Sequence, residues 1–399
     1  MEFSFPRTFG QNEAKESLSK ALVQGRFPHA LLVHGEPGLG QLALLLDLAQ
    51  ILSCESPSPA QVRPCGKCFS CKAFQSASLE SVHYLIPLVK KEKEKESEEG
   101  EETSLASAQI EELLGLIEFW HRAPYGFGVA EKAMVYASQV RELLGRLGYA
   151  GRGGRARVVM VPYLEALNPT SSNILLKTLE EPPENVYFLI ASENRAELLP
   201  TLLSRCLHLG LSPLPPAEFR ETVAAVSVKM GKPLVPALLP FAEGSPGVYF
   251  DFLEHGGEAL LEDAAGFLSA ATASDWRLFA DHAASVEGVE ETKYLIHFLL
   301  RCVRVHQSLK ARHPASLGSG GREDGYRWTL QALQAEGWEP SLSAYLGPLE
   351  DVADLAAFAT YLQTAFQAIK NYARPQIALL GLFLEYQAKS HHLVKAPAK

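Results

Sequence analysis

The stretch "ALLVHGEPGLGQLALLLDLAQIL" (residues 30–52) contains the pattern that decides the fold of this chain. Its first six residues (30–35) form a short apolar run, which is typical of a buried strand, and residues 41–52 have the length and apolar content of a helix. Between them, "GEPGLGQL" (35–42) nearly matches the phosphate-binding loop G-x-x-x-x-G-K-[ST]. The segment therefore predicts a strand, a glycine loop and a helix in direct succession.

The loop keeps the backbone features of a phosphate site but lacks its reactive side chains. Gly35, Gly38 and Gly40 would let backbone N–H groups surround an anion. However, Gln41 stands where a lysine would bind the terminal phosphates, and Leu42 stands where a hydroxyl would bind magnesium. Such a loop is either a phosphate loop that has lost its chemistry or a glycine turn unrelated to nucleotides.

Two further apolar runs, "RVVMV" (157–161) and "VYFLIA" (186–191), predict strands that are covered on both faces. The intervening "NPTSSNILLKTLEEPP" (168–183) predicts a helix, with Asn168 as its N-cap and a double proline as its stop. Alternation of this kind predicts a parallel α/β domain.

The second half of an ATPase site is missing from the end of the 157–161 strand. Magnesium and the attacking water need carboxylates there, but Pro162 and Tyr163 occupy those positions, and Glu165 comes two residues too late. Together with Gln41, these residues predict that the chain does not hydrolyse ATP.

Changes in pattern along the chain predict three domains. Residues 1–210 form the α/β domain, and the β signal fades after the proline-rich "LSPLPPAEF". Amphipathic helical patterns then predict a small helical domain over residues 211–257 and a second helical domain over residues 258–399.

An insertion of about residues 87–133 interrupts the α/β pattern. Within it, "KKEKEKESEEGEE" (90–102) has no apolar residue that could anchor it to a core, which predicts a solvated surface segment. The following "IEELLGLIEFW" (110–120) regains helical periodicity and predicts one helix inside the insertion.

Four cysteines, Cys54, Cys65, Cys68 and Cys71, have the spacing C-x10-C-x2-C-x2-C. Two overlapping C-x2-C steps bring thiolates together from one turn, which favours a tetrahedral zinc ion bound by four thiolates. Because the protein would fill every coordination position, such a zinc would be structural. An iron-sulfur cluster, which lacks its usual C-x3-C-P continuation here, and a chance grouping of thiols are the alternatives.

The overall composition indicates a soluble globular protein with 47% hydrophobic residues and a formal net charge of -9. The negative charge argues against a protein that coats nucleic acid unaided. No secretory signal and no membrane span are expected, and we expect a cytoplasmic location.

The ordered set "PHALLVHGEPGLGQ" (28–41), the four-cysteine module (54–71), "NILLKTLEEPPENVYFLIAS" (173–192) and "LLPTLLSRC" (198–206) carries a specific resemblance. In this order, the segments resemble those of bacterial clamp-loader subunits of DNA polymerase III, within the AAA+ family, and the delta-prime type in particular. The resemblance covers about residues 1–210 strongly and the remainder loosely.

The resemblance implies an AAA+ P-loop-type parallel sheet domain with a zinc module, a small helical lid domain and an all-α C-terminal collar domain. It also implies a ring with gamma/tau and delta types of clamp-loader subunit, which places the sliding clamp on primed DNA as part of the polymerase holoenzyme. Delta-prime subunits commonly do not hydrolyse ATP, so the nucleotide is expected to bind to a neighbouring subunit. Association with a membrane is not expected.

The resemblance further implies an arginine finger within Ser204, Arg205 and Cys206. A guanidinium that reaches a neighbour's γ-phosphate stabilises the charge that develops during transfer; the alternative is an ordinary arginine at a helix end. Ser192 lies near the first sensor of the family or serves as a strand-end cap. At the position of the second-sensor arginine the chain has Gly247.

Two functions of other classes remain as alternatives. One is an active gamma/tau-like ATPase with an unusual site, and the other is a zinc-containing nucleic-acid-binding module that acts by itself. The first predicts ATP turnover by the isolated chain, and the second predicts tight, salt-sensitive DNA binding.

Overall fold

A computed structural model describes eleven segments of the chain and three isolated positions. The segments are residues 5–56, 64–89, 107–125, 133–149, 156–195, 198–272, 276–285, 288–310, 345–351, 355–371 and 373–394, and the isolated positions are Trp328, Ala332 and Leu342. The chain divides into two compact units. The first comprises residues 1–214, 229–231 and 245–248, and the second comprises residues 215–228, 232–244 and 249–399.

A parallel five-stranded sheet organises the first unit. Its strands are β1 (Ala30–His34), β2 (Val82–Tyr84), β3 (Arg157–Val161), β4 (Val186–Ser192) and β5 (Leu207–Gly210). They lie in the order β2-β3-β4-β1-β5, with β1 between β4 and β5. The predicted parallel α/β fold is therefore confirmed. Strands β2 and β5 were not predicted, because one has three residues and the other is partly exposed and lacks a continuous apolar pattern.

Helices cover both faces of this sheet. The helices of the first unit are α1 (Asn12–Val23), α2 (Gln41–Ser53), α3 (Phe69–Gln75), α4 (Ser107–Arg122), α5 (Ala137–Tyr149), α6 (Pro169–Glu180) and α7 (Pro200–Leu203). One core layer contains α2, and another contains buried residues of α5, α6 and α7. Eleven residues of α2 are buried, which explains its apolar character on all sides.

The helix predicted inside the insertion is present as α4. The charged run at 90–102 lies outside the described residues. Helix α4 packs Trp120 into the same core layer as α2, so this part of the insertion contributes to the domain core.

The second unit is helical in its described residues. Helices α8 (Pro216–Met230) and α9 (Pro246–Glu254) belong partly to each unit, and the others are α10 (Glu258–Thr272), α11 (Trp276–Ser285), α12 (Val289–Lys310), α13 (Leu355–Lys370) and α14 (Pro375–Val394). The helical character predicted for residues 211–399 is confirmed there. The further division into lid and collar domains stays a prediction. Among the described helices, none has the length and apolar content needed to cross a membrane.

Candidate functional site

The glycine loop has the backbone geometry that the sequence predicts. It connects β1 directly to α2, and Gly38 and Gly40 have φ values of +78° and +100°. Side chains rarely adopt this left-handed region, so both positions require glycine. The loop therefore depends on glycine at both positions.

Gln41 uses its side chain to hold this loop instead of leaving it open to an anion. Its Nε2 donates to the carbonyl oxygen of Gly35 over 3.0 Å and to that of Glu36 over 2.7 Å. The side chain is buried and carries no charge. A donor that already serves the loop's own carbonyl groups offers no positive charge to a phosphate.

The segment at Ser245 and Gly247 packs directly on the loop. The backbone N–H of Gly247 donates to the Gly38 carbonyl oxygen over 2.9 Å, and Ser245 Oγ donates to the Pro37 carbonyl oxygen over 2.8 Å. A Cβ atom on Gly247 would lie 2.5 Å from Gly38 Cα. The residue at the second-sensor position thus has to be glycine in this arrangement, and a long side chain cannot enter.

Tyr125 closes the other side of the loop. A Cβ atom at Gly40 would lie 3.0 Å from the Tyr125 ring, and the Tyr125 hydroxyl oxygen accepts from the Phe9 backbone N–H over 2.8 Å. The cavity that remains beside the loop, next to Tyr163 and Glu193, has a volume of about 30 Å³. Sites for small-molecule ligands typically have volumes of about 300–1,000 Å³, so this cavity is much smaller than such a site.

Glu165 and Glu193 lie near the carboxyl ends of β3 and β4. Glu165 makes a hydrogen bond that holds the local backbone. Glu165 Oε1 accepts from the backbone N–H of Glu193 over 3.0 Å. Burial, and next the charge of Glu165, raise the pKa of Glu193 to about 7. Ser192 Oγ accepts from the Asn194 backbone N–H over 3.2 Å, as a strand-end cap would.

We expect the Glu193→Gln variant to be more stable than the parent chain at pH 8, by as much as about 3 kcal/mol. The folded pKa of about 7 lies above the unfolded value of about 4.3. The parent fold therefore binds an extra proton between these pH values and loses stability as pH rises through them. Urea unfolding from pH 4 to pH 8 measures this difference, with exposed Glu184→Gln as the control. The prediction would be contradicted if the free energies of unfolding of Glu193→Gln and of the parent chain changed with pH in the same way.

The four predicted cysteine ligands converge on one point. Cys54 follows the last residue of α2, Cys68 is the N-cap of α3, and Gly66 has φ +71° in the turn before Cys68. The four Sγ atoms lie within 4.8 Å of one another. A tetrahedral zinc with Zn–S distances of about 2.3 Å requires S···S distances of about 3.8 Å, so the sulfur atoms fit such an ion closely.

Backbone N–H groups support the sulfur atoms. Cys54 Sγ accepts from Cys65 N over 3.2 Å, Cys65 Sγ from Cys68 N over 3.3 Å, and Cys68 Sγ from Cys71 N over 3.3 Å. Donors at Lys67 and Cys68 lower the pKa of Cys65 to about 6, whereas burial raises the pKa of Cys71. The cluster could hold a metal ion, and four thiolates are consistent with zinc.

Arg205 follows α7 and its side chain is about 30% exposed. Its Nη1 donates to the Thr201 carbonyl oxygen over 2.7 Å and to Ser204 Oγ over 3.1 Å. Its Nη2 forms an ion pair with Glu180 at the end of α6. The guanidinium is thus held in place by its own chain, and the side chain is partly exposed. Exposed pairs of this kind contribute roughly 0–1 kcal/mol to stability.

Ser204 and Cys206, the neighbours of Arg205 in its motif, make contacts within their own domain. Ser204 Oγ donates to the Thr201 carbonyl oxygen over 3.1 Å. Cys206 is buried in the core layer with α6 and α7, and burial raises its pKa to about 11. Cys206 therefore anchors the motif, whereas Arg205 reaches the surface.

Sequence reasoning missed the residues that hold the N-terminal segment beside the loop. Buried Asp47 on α2 accepts from the backbone N–H groups of Arg7 and Thr8 and from the Arg7 guanidinium. A polar residue inside an apolar helix was the available signal for Asp47. Tyr125 had no such signal, because it lies far along the chain from Gly40.

Comparisons with known proteins agree on one family. The sequence profile described as "DNA polymerase III, delta subunit" matches residues 10–215, slightly more than half of the chain. The delta' subunit of Escherichia coli K12 DNA polymerase III is 31% identical over 232 residues, which are 58% of this chain and 56% of that protein. The tau subunit from the same organism is 32% identical over 220 residues, which are 54% of this chain and 27% of that protein.

The chain spans about half the length of two curated delta' relatives, 56% of the Escherichia coli protein and 43% of the Yersinia pestis protein. A solved structure of a gamma-subunit-related protein of DNA polymerase III from Thermotoga maritima covers 94% of this chain and 98% of its own. Its TM-score is 0.45 at 15% identity, so the family assignment rests on the sequence matches. By those matches, the chain belongs to the family described as DNA polymerase III, delta subunit.

Proposed function

We propose that this chain is a clamp-loader subunit of the delta-prime type, which does not hydrolyse ATP and gives Arg205 to a nucleotide bound by a neighbouring subunit. The observation that carries the proposal is the contrast between a phosphate loop closed by its own chain and an arginine accessible at the surface. The test is ATP hydrolysis by the reconstituted clamp loader that carries Arg205→Ala.

The closed loop supports the absence of ATP hydrolysis by this chain. A nucleotide would have to displace Tyr125 and the segment at Gly247, and Gln41 would still supply no charge. Magnesium would find neither a hydroxyl at Leu42 nor a carboxylate at Pro162. Restoring the lysine at position 41 would therefore not restore a site.

The chemistry of Arg205 supports its use by another subunit. A guanidinium presents a planar fork of N–H donors that suits phosphate oxygens, and it stays charged at any physiological pH. Leu207, two residues further on, is 54% exposed on the edge strand β5, which suits a surface that another protein covers. We therefore place the contact with the neighbour at this edge of the sheet.

We propose that the four cysteines hold a structural zinc ion. No coordination position would remain for substrate, so the ion would stabilise the fold and take no part in chemistry. The cluster joins the end of α2 to the start of α3, and α3 packs Phe74 into the core layer of α2. The zinc would thereby fix α3 relative to the helix that follows the loop.

We further propose that the second unit provides the collar through which the gamma/tau and delta types of subunit associate. The sliding clamp and primed DNA would meet this chain through the assembled complex. Helix α14 supports this role, because Ile377 and Leu384, seven residues apart and so on one side of the helix, are 62% and 66% exposed. Exposed apolar residues that share one side suit a surface that another protein covers, and α14 also contacts α11 and α13.

Replacing Ile377 and Leu384 together with glutamate should weaken assembly with the other subunits by at least about tenfold in Kd, because two charges would enter an apolar interface. Analytical ultracentrifugation with the gamma/tau and delta subunits measures this affinity. Exposed Val228→Glu, on α8, is the matched control. Equal affinities for the double variant and the parent chain would rule out this face of α14.

An active gamma/tau-like ATPase is the second candidate, since the tau relative is as similar as the delta' relative. Magnesium-dependent ATP turnover by the purified chain, lost in Gly40→Asp, would favour it. A nucleic-acid-binding module that acts alone is less compatible with a net charge of -9. Tight, salt-sensitive DNA binding by the isolated chain would favour that function instead.

A further inference from the structure

The guanidinium of Arg205 is almost fully engaged within its own chain. Each terminal nitrogen carries two hydrogens. Nη1 gives both of its hydrogens, to the Thr201 carbonyl oxygen and to Ser204 Oγ, and Nη2 gives one to Glu180. The Nε atom is buried, with no hydrogen-bond partner among the described residues. The second hydrogen of Nη2 is therefore the donor left for an external anion.

Glu180 is placed by features that do not depend on its own charge. It is the last residue of α6, and Pro182 and Pro183 follow it, which ends the helix at a defined point. Leu175 and Leu179 anchor α6 in the same core layer that contains Leu202 of α7. The carboxylate therefore lies at the end of α6, and the guanidinium lies just after α7, a helix that shares one packed core with α6.

We propose that Glu180 is a positioning residue for Arg205: it holds Nη2 in the one orientation from which the remaining hydrogen can reach a neighbour's phosphate. The inference deepens the proposed function and rests on it. An arginine side chain has many rotamers, and fixing the guanidinium before the reaction removes the need to order it in the transition state. Glu180 acts through Arg205 and makes no contact with the nucleotide.

The test measures ATP hydrolysis by the reconstituted clamp loader, with kcat and KM determined separately. Glu180→Ala should slow hydrolysis about tenfold at the ATP site that Arg205 faces and leave the KM for ATP unchanged, since the neighbour binds the nucleotide. Glu180→Gln keeps an acceptor oxygen and should recover part of the loss. Glu181→Ala is the matched control, because Glu181 is the exposed carboxylate next in sequence, and it should behave as the parent complex does.

A double-variant comparison separates positioning from a general structural effect. In a complex that already carries Arg205→Ala, adding Glu180→Ala should cause no further loss, because the two residues act as a unit. The thermal midpoint of the Glu180→Ala chain should equal that of the parent, since the ion pair is exposed. An equal loss in both backgrounds, or a lowered midpoint that accounts for the loss, would overturn the inference.

The outcomes also distinguish this inference from the proposed function. If Arg205→Ala abolishes stimulated hydrolysis while Glu180→Ala leaves kcat at or above the parent value, the positioning role is wrong and the arginine finger stands. If Arg205→Ala has no effect, the proposed function itself fails. If each single variant slows hydrolysis and the double variant is no slower than Arg205→Ala alone, the result supports both the positioning role and the proposed function.

Discussion

Arg205→Ala in the assembled clamp loader should slow hydrolysis about a thousandfold or more at the ATP site that this arginine faces, the scale on which arginine fingers act. Alanine removes the positive charge and the remaining N–H donor that would stabilise charge on the transferring phosphoryl group. Nucleotide affinity should change much less, because the neighbouring subunit binds the phosphates. Pre-steady-state phosphate release measures the effect as a missing fraction of the burst on primed DNA.

Two variants sharpen this test. Arg205→Lys keeps the charge, but a single ammonium cannot keep the contacts with Thr201, Ser204 and Glu180 that hold the guanidinium, so it should recover little of the lost burst. Arg122→Ala removes an exposed arginine at the end of α4 and is the matched control, with an unchanged burst expected. A full burst from the Arg205→Ala complex, with normal assembly, would refute the arginine-finger role.

Removing the metal ligand Cys71 should have the largest effect on stability. The purified chain should contain one equivalent of zinc, and Cys71→Ser should lose it together with several kcal/mol of stability, since structural zinc sites contribute about 10–16 kcal/mol of apparent binding energy in small domains. Cys71 and the adjacent Phe74 are buried on α3, so loss of the ion would release this helix from the core. Metal analysis and thermal unfolding measure the two effects.

Cys302→Ala is the control for this prediction, because Cys302 is a buried cysteine on α12 and lies outside the cluster. It should keep the full equivalent of zinc whatever its own effect on stability. Less than half an equivalent of zinc in the parent chain after gentle preparation would contradict the four-thiolate site. Iron and visible absorbance in place of zinc would indicate the iron-sulfur alternative.

Local patterns predicted much of the fold. The apolar runs at 30–35, 157–161 and 186–191 became β1, β3 and β4, because strands buried on both faces need continuous apolar residues. The helix predicted within residues 168–183 ends just before its double proline, as expected. Strand β2 escaped prediction because three residues carry too little pattern.

The candidate site was predicted less completely than the fold. The cysteine cluster was predicted because C-x2-C spacing itself brings thiolates together. The closure of the loop by Tyr125 and Gly247 was not found, since both residues lie far along the chain from Gly38 and Gly40. Glu180 was likewise unremarkable in sequence, where it is one of two adjacent glutamates at a helix end.

By itself, the sequence determined which groups are chemically present: glycines without a lysine or a hydroxyl, Pro162 and Tyr163 in place of carboxylates directly after β3, four cysteines at close spacing and one arginine in a motif. Tertiary structure decided what these groups can reach. It packs Tyr125 and Gly247 against the loop until about 30 Å³ remains, and it pairs Arg205 with Glu180. The physical reason is that a residue type follows from the local sequence, whereas a cavity volume and an ion pair depend on distances between residues that only the packed core brings together.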